Sequence, residues 1–200
     1  MTTQFGWRGA NQCAHHADII EPLVNELRRY DAQRVLDVGS GNGSLTYQLR
    51  EAGFDVVGIE PDADGVELSR QWGGEFHQAS VYDDPDPMLG DFDAVVCAEV
   101  IEHLFTPAAV PQLAAKLLSA GRPLVITTPY HGYWKNLALA LSGSWDGHLE
   151  PLHDGGHIKF FSPDTLTELV EAEGFSVDTV MGAGRFRYLW RSMVLTAVRR

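Results

Sequence analysis

Apolar residues recur along this chain at two spacings, and the spacing changes repeatedly. Residues 14–30 carry Ile19, Ile20, Leu23, Val24 and Leu27 three or four positions apart, which predicts a helix with one apolar face. From residue 34 short aliphatic runs alternate with helical stretches. A first strand is predicted over 34–38, a helix over 44–51 stopped by Gly53, and a second strand over 55–60. Residues 62–72 predict a helix with acids in its first turn, where they suit the positive end of the dipole. A short third strand follows over 75–81 and a fourth over 92–97. Thr106-Pro107 reads as a cap with proline at the first helical position, opening a helix to about Ser119. The fifth strand is predicted over 123–128. Ser162-Pro163 repeats the cap-proline signal and opens a helix that Gly174 ends. Residues 175–181 and 193–198 are the last strands, and Gly182 and Gly184 between them predict an antiparallel hairpin.

Seven strands alternating with helices predict an α/β fold: a Rossmann-like seven-stranded sheet, mostly parallel, with an antiparallel C-terminal hairpin strand and helices on both faces. Ligands in such sheets bind beyond the carboxyl ends of the strands. That rule gathers residues 37–43, Glu60, 80–83, 97–103 and 128–134. The segment 129–161 is longer than an ordinary connection. It holds Tyr130, His131, Tyr133, Trp134, Trp145, His148, His153 and His157, with a short apolar helix at 137–141. It is read as a lid over an acceptor site, residues 1–30 as a helical cap, and 1–200 as one domain.

Composition narrows the function classes. A chain of 200 residues with 44% hydrophobic content can build one sizeable core. A formal charge of −12 argues against sequence-indifferent binding to nucleic acid phosphates. Arg185, Arg187 and Arg191 are expected to form a mildly basic edge. Cys13 and Cys97 do not make a disulfide framework, and Cys97 lies in an apolar run, so a buried thiol in a reducing, cytoplasmic setting is expected. No segment reads as a signal peptide or a membrane span, and the oligomeric state is not legible.

The chemistry concentrates in a few places. Val35-Leu36-Asp37-Val38-Gly39-Ser40-Gly41-Asn42-Gly43 joins an aliphatic strand to a glycine turn, and Glu60 ends the next strand. Gly39, Ser40, Gly41 and Gly43 bring backbone close to a ligand. Glu60 is placed to accept ribose hydroxyls, beside Pro61. A dinucleotide would set its pyrophosphate at the helix N-terminus, where the Asp37 carboxylate repels it. Asp37 suits a ligand with cationic groups and no phosphate, such as S-adenosylmethionine. Ser80, Val81 and Cys97, at the ends of the third and fourth strands, complete the expected cofactor contacts. A dinucleotide oxidoreductase and a binding module without catalysis stay as alternatives.

After the fourth strand, Glu99, Glu102 and His103 stand at i, i+3 and i+4. On a helical turn they share a face. Three readings are open: ligands for a divalent cation, a His103 general base supported by Glu102, or ordinary packing. His153 and His157 have zinc-ligand spacing, but the intervening Asp-Gly-Gly predicts a turn and no cysteine pair accompanies them.

The segments 35–43, 97–103 and 156–163 together resemble the class I S-adenosylmethionine-dependent methyltransferases. Within that class they are similar to the ubiquinone-biosynthesis O-methyltransferases, matched by Glu99, Glu102, His103, His157, Lys159, Phe160 and Pro163. The small-RNA 2′-O-methyltransferases carry a similar cluster. The resemblance implies O-methylation of a small hydroxyl compound (a quinol or phenol, a glycan or a lipid-like acceptor). It also implies a divalent metal, Mg, Mn or Zn, on Glu99, Glu102, His103 and His157. One departure is Ser80, where many relatives place an acid toward the adenine amine.

Overall fold

A computed structural model describes residues 16–149, 151–152 and 156–200. Helix α1 spans His16–Arg29 and leads into strand β1, Arg34–Val38. Then follow α2 (Ser44–Glu51), β2 (Asp55–Glu60), α3 (Ala63–Ser69), β3 (Glu75–Gln78), β4 (Ala94–Ala98), α4 (Ala109–Leu117) and β5 (Pro123–Pro129). Helices α5 (Tyr133–Ser142), α6 (Trp145–Leu149) and α7 (Pro163–Ala172) precede β6 (Phe175–Ala183) and β7 (Ser192–Arg199).

The strand order is β3-β2-β1-β4-β5-β7-β6. Strands β1 to β5 run parallel, while β7 lies antiparallel between β5 and β6. The reversed strand is therefore inside the sheet, and β6 forms the edge. The order reverses between β1 and β4, which makes their carboxyl ends the crevice where ligands bind. The register aligns the ends: Val38 pairs with Ile59 and with Cys97, and Ala98 pairs with Thr127.

Alternation along each strand divides the core in two. Leu36, Val38, Val57, Ile59, Val95 and Cys97 pack with Leu113 of α4 and Leu166 and Val170 of α7. Val35, Val56, Ala94 and Val96 pack on the other face with Ile19, Leu23 and Leu27 of α1 and Leu45 and Leu49 of α2. By the same parity Asp37 falls on the α2 face.

Three expected boundaries move. Strand β3 ends at Gln78, because the Ser80 N–H donates to Asp83 Oδ2 and the Asp83 N–H donates to the Ser80 carbonyl, closing a turn in place of a ladder. Helix α4 begins at Ala109; the Thr106 carbonyl accepts from the Ala109 N–H, so 106–108 form a turn and Thr106 does not cap by its side chain. The predicted helix over 62–72 keeps Asp62 as its cap, accepting from the Asp64 N–H, and tightens to a 3-10 turn over Arg70–Trp72. Ser162 caps α7 as expected, and Thr165 returns a bond to the Ser162 N–H, which makes the cap reciprocal. Residues 1–15, including Trp7, Cys13 and His15, and residues 150 and 153–155, including His153, lie outside the described residues.

Candidate functional site

The glycine turn leaves β1 with Gly39, Gly41 and Gly43 at φ of 74°, 55° and 80°. The N–H groups of Gly39 and Ser40 both donate to the Ile59 carbonyl, which pins the turn against the end of β2. Glu60 secures it from the other side. Its Oε2 accepts from the Gly41 N–H and its Oε1 from the Asp62 N–H, each at 2.9 Å. Glu60 is therefore both the acid at the strand end and a brace for the turn, a role its spacing alone did not reveal. Burial pushes its carboxyl above the usual range, and the two N–H donors partly offset this.

Asp37 sits 1% exposed beneath the turn, and its Oδ2 accepts from the Thr46 hydroxyl at 2.6 Å. Burial drives its pKa to about 6. The first turn of α2 is thus tied to β1 through an acid. At the N-terminus of α2, His16 Nδ1 lies 3.2 Å from Ser44 Oγ, which places the start of α1 beside the turn.

On the β3 side, Ser80 lines a cavity of about 280 Å³ whose walls also include Ile59, Gln78, Ala79 and Asp83, while Val81 packs against the α4-side core. The Ser80 hydroxyl accepts from the Tyr82 N–H, so it belongs first to its own turn. Asp83, Asp84 and Asp86 all line this corner; Asp83 falls in the segment 80–83 that the strand-end rule gathered, of which the sequence singled out Ser80 and Val81. Pro61 is exposed next to Glu60, and its carbonyl accepts from Gln78 Nε2. The Cys97 thiol is enclosed in the α4-side core at 0% exposure, and burial raises its pKa well above that of a free thiol.

Beyond β4 the backbone does not continue as one helical turn. Glu99 takes a left-handed conformation at φ 54°, and only Ile101–His103 coil as a 3-10 turn. The common face expected for Glu99, Glu102 and His103 is thereby broken. Glu99 Oε1 accepts from the Thr127 hydroxyl at 2.9 Å, and Ser192 also hydrogen-bonds the carboxyl. Glu102 is 1% exposed, with Oε2 accepting from the Thr128 hydroxyl at 3.0 Å and Oε1 buried without a hydrogen-bond partner. His103 Nε2 lies 3.8 Å from Glu102 Oε1, and the His103 and His157 rings meet edge to face at 4.9 Å. The Glu102 carbonyl accepts from the N–H groups of Ile158 and Lys159, which docks the segment carrying His157. Donor atoms of Glu102, His103 and His157 all lie within 4.8 Å of one another, and Glu99 falls outside this group. Burial holds the Glu102 carboxyl well above the usual range, with Glu99 adding to the shift. Thr127 and Thr128 at the end of β5 hold the two acids, yet neither carries a motif that marks it beforehand.

Helices α5 and α6 stand over this cluster. Helix α5 starts earlier than its apolar centre implied, and α6 was not anticipated. His131 Nδ1 meets Asn136 Oδ1 at 3.1 Å, and His131 Nε2 faces His148 Nε2 at 3.3 Å. Since the Asn136 oxygen holds the His131 proton on Nδ1, His148 donates to the other nitrogen. Burial pushes the His148 pKa down to about 4 and lowers that of His131, so the pair is neutral near pH 7. Phe160 closes on His131 with ring centres 5.1 Å apart. Helix α5 buries only Lys135, while Trp134 and Leu141 are largely exposed.

Comparison with known proteins agrees with this layout. Residues 13–180 match the family described as "Methyltransferase domain". The human mitochondrial ubiquinone biosynthesis O-methyltransferase is 31% identical over 161 residues, covering 74% of this chain and 43% of that protein. The ubiquinone biosynthesis O-methyltransferase of Aromatoleum aromaticum is 27% identical, covering 75% of this chain and 67% of its own length. The chain thus spans less than half of the mammalian relatives. Among solved structures, magnesium protoporphyrin IX methyltransferase from Synechocystis with bound SAH superposes at a TM-score of 0.69, with 20% identity over 90% of this chain and 82% of that one. Mitomycin 7-O-methyltransferase does so at 0.70 with 14% identity, over 91% of this chain and 54% of that one. These two share the fold.

Proposed function

We propose that this chain, which belongs to the class I S-adenosylmethionine-dependent methyltransferases, transfers a methyl group to the hydroxyl of a small acceptor held between the strand ends and the lid formed by α5 and α6. The observation that carries the reading is the cluster of the buried Glu102 carboxyl with the partly buried imidazoles of His103 and His157, set one loop away from the glycine turn. The names of the relatives also specify transfer to oxygen.

Methyl transfer is an in-line displacement at a carbon already activated by the sulfonium. The protein therefore has to align the acceptor and exclude water. Asp37 and Glu60 hold negative charge around the glycine turn, where the cofactor's amino-acid and ribose portions fit. Gly39 and Gly41 leave space for its backbone approach. A hydroxyl reacts faster as it loses its proton. His103, positioned beside the Glu102 carboxylate, accepts that proton. The same residues suit a divalent cation: two imidazoles and a carboxylate whose Oε1 is buried without a hydrogen-bond partner make an N/O donor set. Held by Glu102, His103 and His157, with Glu99 outside, such an ion would lower the pKa of the acceptor hydroxyl.

The test is transfer of a labelled methyl group from S-adenosylmethionine to catechol-type acceptors, with and without a chelator. Labelled ether is the expected product. If chelation abolishes transfer and Mg²⁺, Mn²⁺ or Zn²⁺ restores it, the trio ligates a metal. If chelation does nothing, His103→Ala lowers turnover about 10²–10⁴-fold. Full turnover in both His103→Ala and Glu102→Ala removes the cluster from the mechanism.

A further inference from the structure

Two imidazoles above the Glu102 cluster meet each other instead of an acid. His131 follows the end of β5, and His148 lies in the last turn of α6. Their Nε2 atoms stand 3.3 Å apart. That is at the long end of N–H hydrogen bonds, which run to about 3.2 Å. It matches two ligands of one ion: nitrogens about 2.0–2.1 Å from a tetrahedral zinc lie about 3.3–3.4 Å from each other. The ring centres are 4.9 Å apart, so the rings splay away from a common point. His131 is also oriented as a ligand is. Asn136 Oδ1 accepts its Nδ1 proton at 3.1 Å and leaves the lone pair on Nε2, the outer support that metal-bound imidazoles usually have. Phe160 flanks His131 with ring centres at 5.1 Å, and Trp145 flanks His148 at 6.4 Å. Burial keeps both rings unprotonated near pH 7. An ion could therefore take both Nε2 lone pairs without releasing a proton, the His148 proton passing from Nε2 to Nδ1.

We infer that His131 and His148 form a two-imidazole site for a divalent late transition ion, and that the ion clasps α6 to the end of β5. The site is distinct from Glu102, His103 and His157, whose donor atoms gather without either of these rings. The nearest ring of that cluster, His157, is centred 6.1 Å from His148. The donors differ in kind as well. The Glu102 cluster includes a carboxylate, whereas the pair offers nitrogen alone, and the Lys135 ammonium adds positive charge beside both rings. Mg²⁺ requires oxygen ligands and is refused here. Zn²⁺ and Cu²⁺ bond to imidazole strongly enough to bear the repulsion. Two protein ligands leave positions for water, so the ion is exchangeable and not a closed structural centre. None of this depends on whether the Glu102 cluster holds a metal or on the methyl-transfer reading.

The experiment counts zinc on the full chain by equilibrium dialysis against Zn²⁺ in excess Mg²⁺. The unaltered chain is expected to hold one zinc more than His148→Gln, which keeps a hydrogen-bond donor toward His131 and removes the imidazole. Asn136→Ala frees the His131 ring and is expected to weaken this zinc about 10–100-fold. Glu102→Gln combined with His103→Ala empties the other cluster and is expected to leave this zinc in place. Hydrogen exchange of the 145–149 amides is expected to slow with zinc in the unaltered chain and not in His148→Gln. His148 is half-buried at the end of a short helix, so its variant is expected to fold, and a cooperative melt checks this. Equal zinc content in the unaltered chain and folded His148→Gln, displacement of the zinc by Mg²⁺, or its loss from the double variant overturns the site. Zinc that binds through His148 without slowing exchange at 145–149 overturns the clasp.

Discussion

Asp37 shows at the scale of one residue how a binding site costs stability. Its folded pKa of about 6 lies above the ordinary 3.8, because burial disfavours the charge more than the Thr46 hydroxyl supports it. The folded state therefore binds the proton more tightly than the unfolded state does. Asp37 stabilises the fold below about pH 4, loses that contribution as pH rises through 6, and at pH 7 sits as a strained anion. Raising the pKa from 3.8 to about 6 corresponds to about 3 kcal/mol. Asp37→Asn keeps an oxygen for Thr46 and removes the charge. It is expected to raise the melting temperature of the ligand-free protein at pH 7, at about 2–4 °C per kcal/mol, with the gain vanishing toward pH 4. The same change removes the anion that meets the cofactor's cationic groups, so calorimetry is expected to find weaker binding of S-adenosylhomocysteine. A variant less stable at pH 7, or one of unchanged affinity, removes this role.

At the scale of the element, the glycine turn is fitted to its neighbours as well as to a ligand. A Cβ on Gly39 would lie 2.5 Å from Val100 Cγ2, and its φ of 74° disfavours any side chain. Gly39→Ala is expected to weaken binding of S-adenosylhomocysteine about tenfold or more. Adding Val100→Ala relieves the clash but not the backbone strain, so affinity should return only in part. Wild-type affinity in Gly39→Ala would show that the turn moves freely. The contrast with the acid cluster explains what could be read in advance. Strands β1 and β2 and helix α2 were legible to the residue, because aliphatic runs and glycines act locally. The common face of Glu99, Glu102 and His103 was not, because it assumed a helix where Glu99 turns left-handed to reach Thr127. Thr128, His131 and His148 fall in segments that the strand-end rule and the long 129–161 connection gathered, but their pairing with Glu102, Asn136 and each other comes from tertiary contacts, which no local pattern records. His157 was legible only through resemblance, and what places it is the docking of 158–159 on the Glu102 carbonyl.

Over the whole molecule the charges divide the work. The chain carries −12 overall, and Asp37 and Glu60 are buried at the strand ends with no cationic side chain beside either among the described residues. No helix among the described residues is long and apolar enough to cross a membrane. This field favours a cationic cofactor over one that brings a pyrophosphate to the N-terminus of α2. Ligand binding is then linked to stability, since a ligand that binds only the folded state at a hundred times its dissociation constant adds about 2.7 kcal/mol. For a domain of this size that is a rise of roughly 5–10 °C in melting temperature. S-adenosylmethionine and S-adenosylhomocysteine should both produce it, the sulfonium form by more if Asp37 senses its charge, and NAD should produce none. The order of the first two is the informative part. Equal shifts would mean that the buried acids see only the shared ammonium, and a shift with NAD would return the site to the dinucleotide enzymes. The Asp37→Asn variant should narrow the gap between the two sulfur forms, because the charge that distinguishes them would be gone.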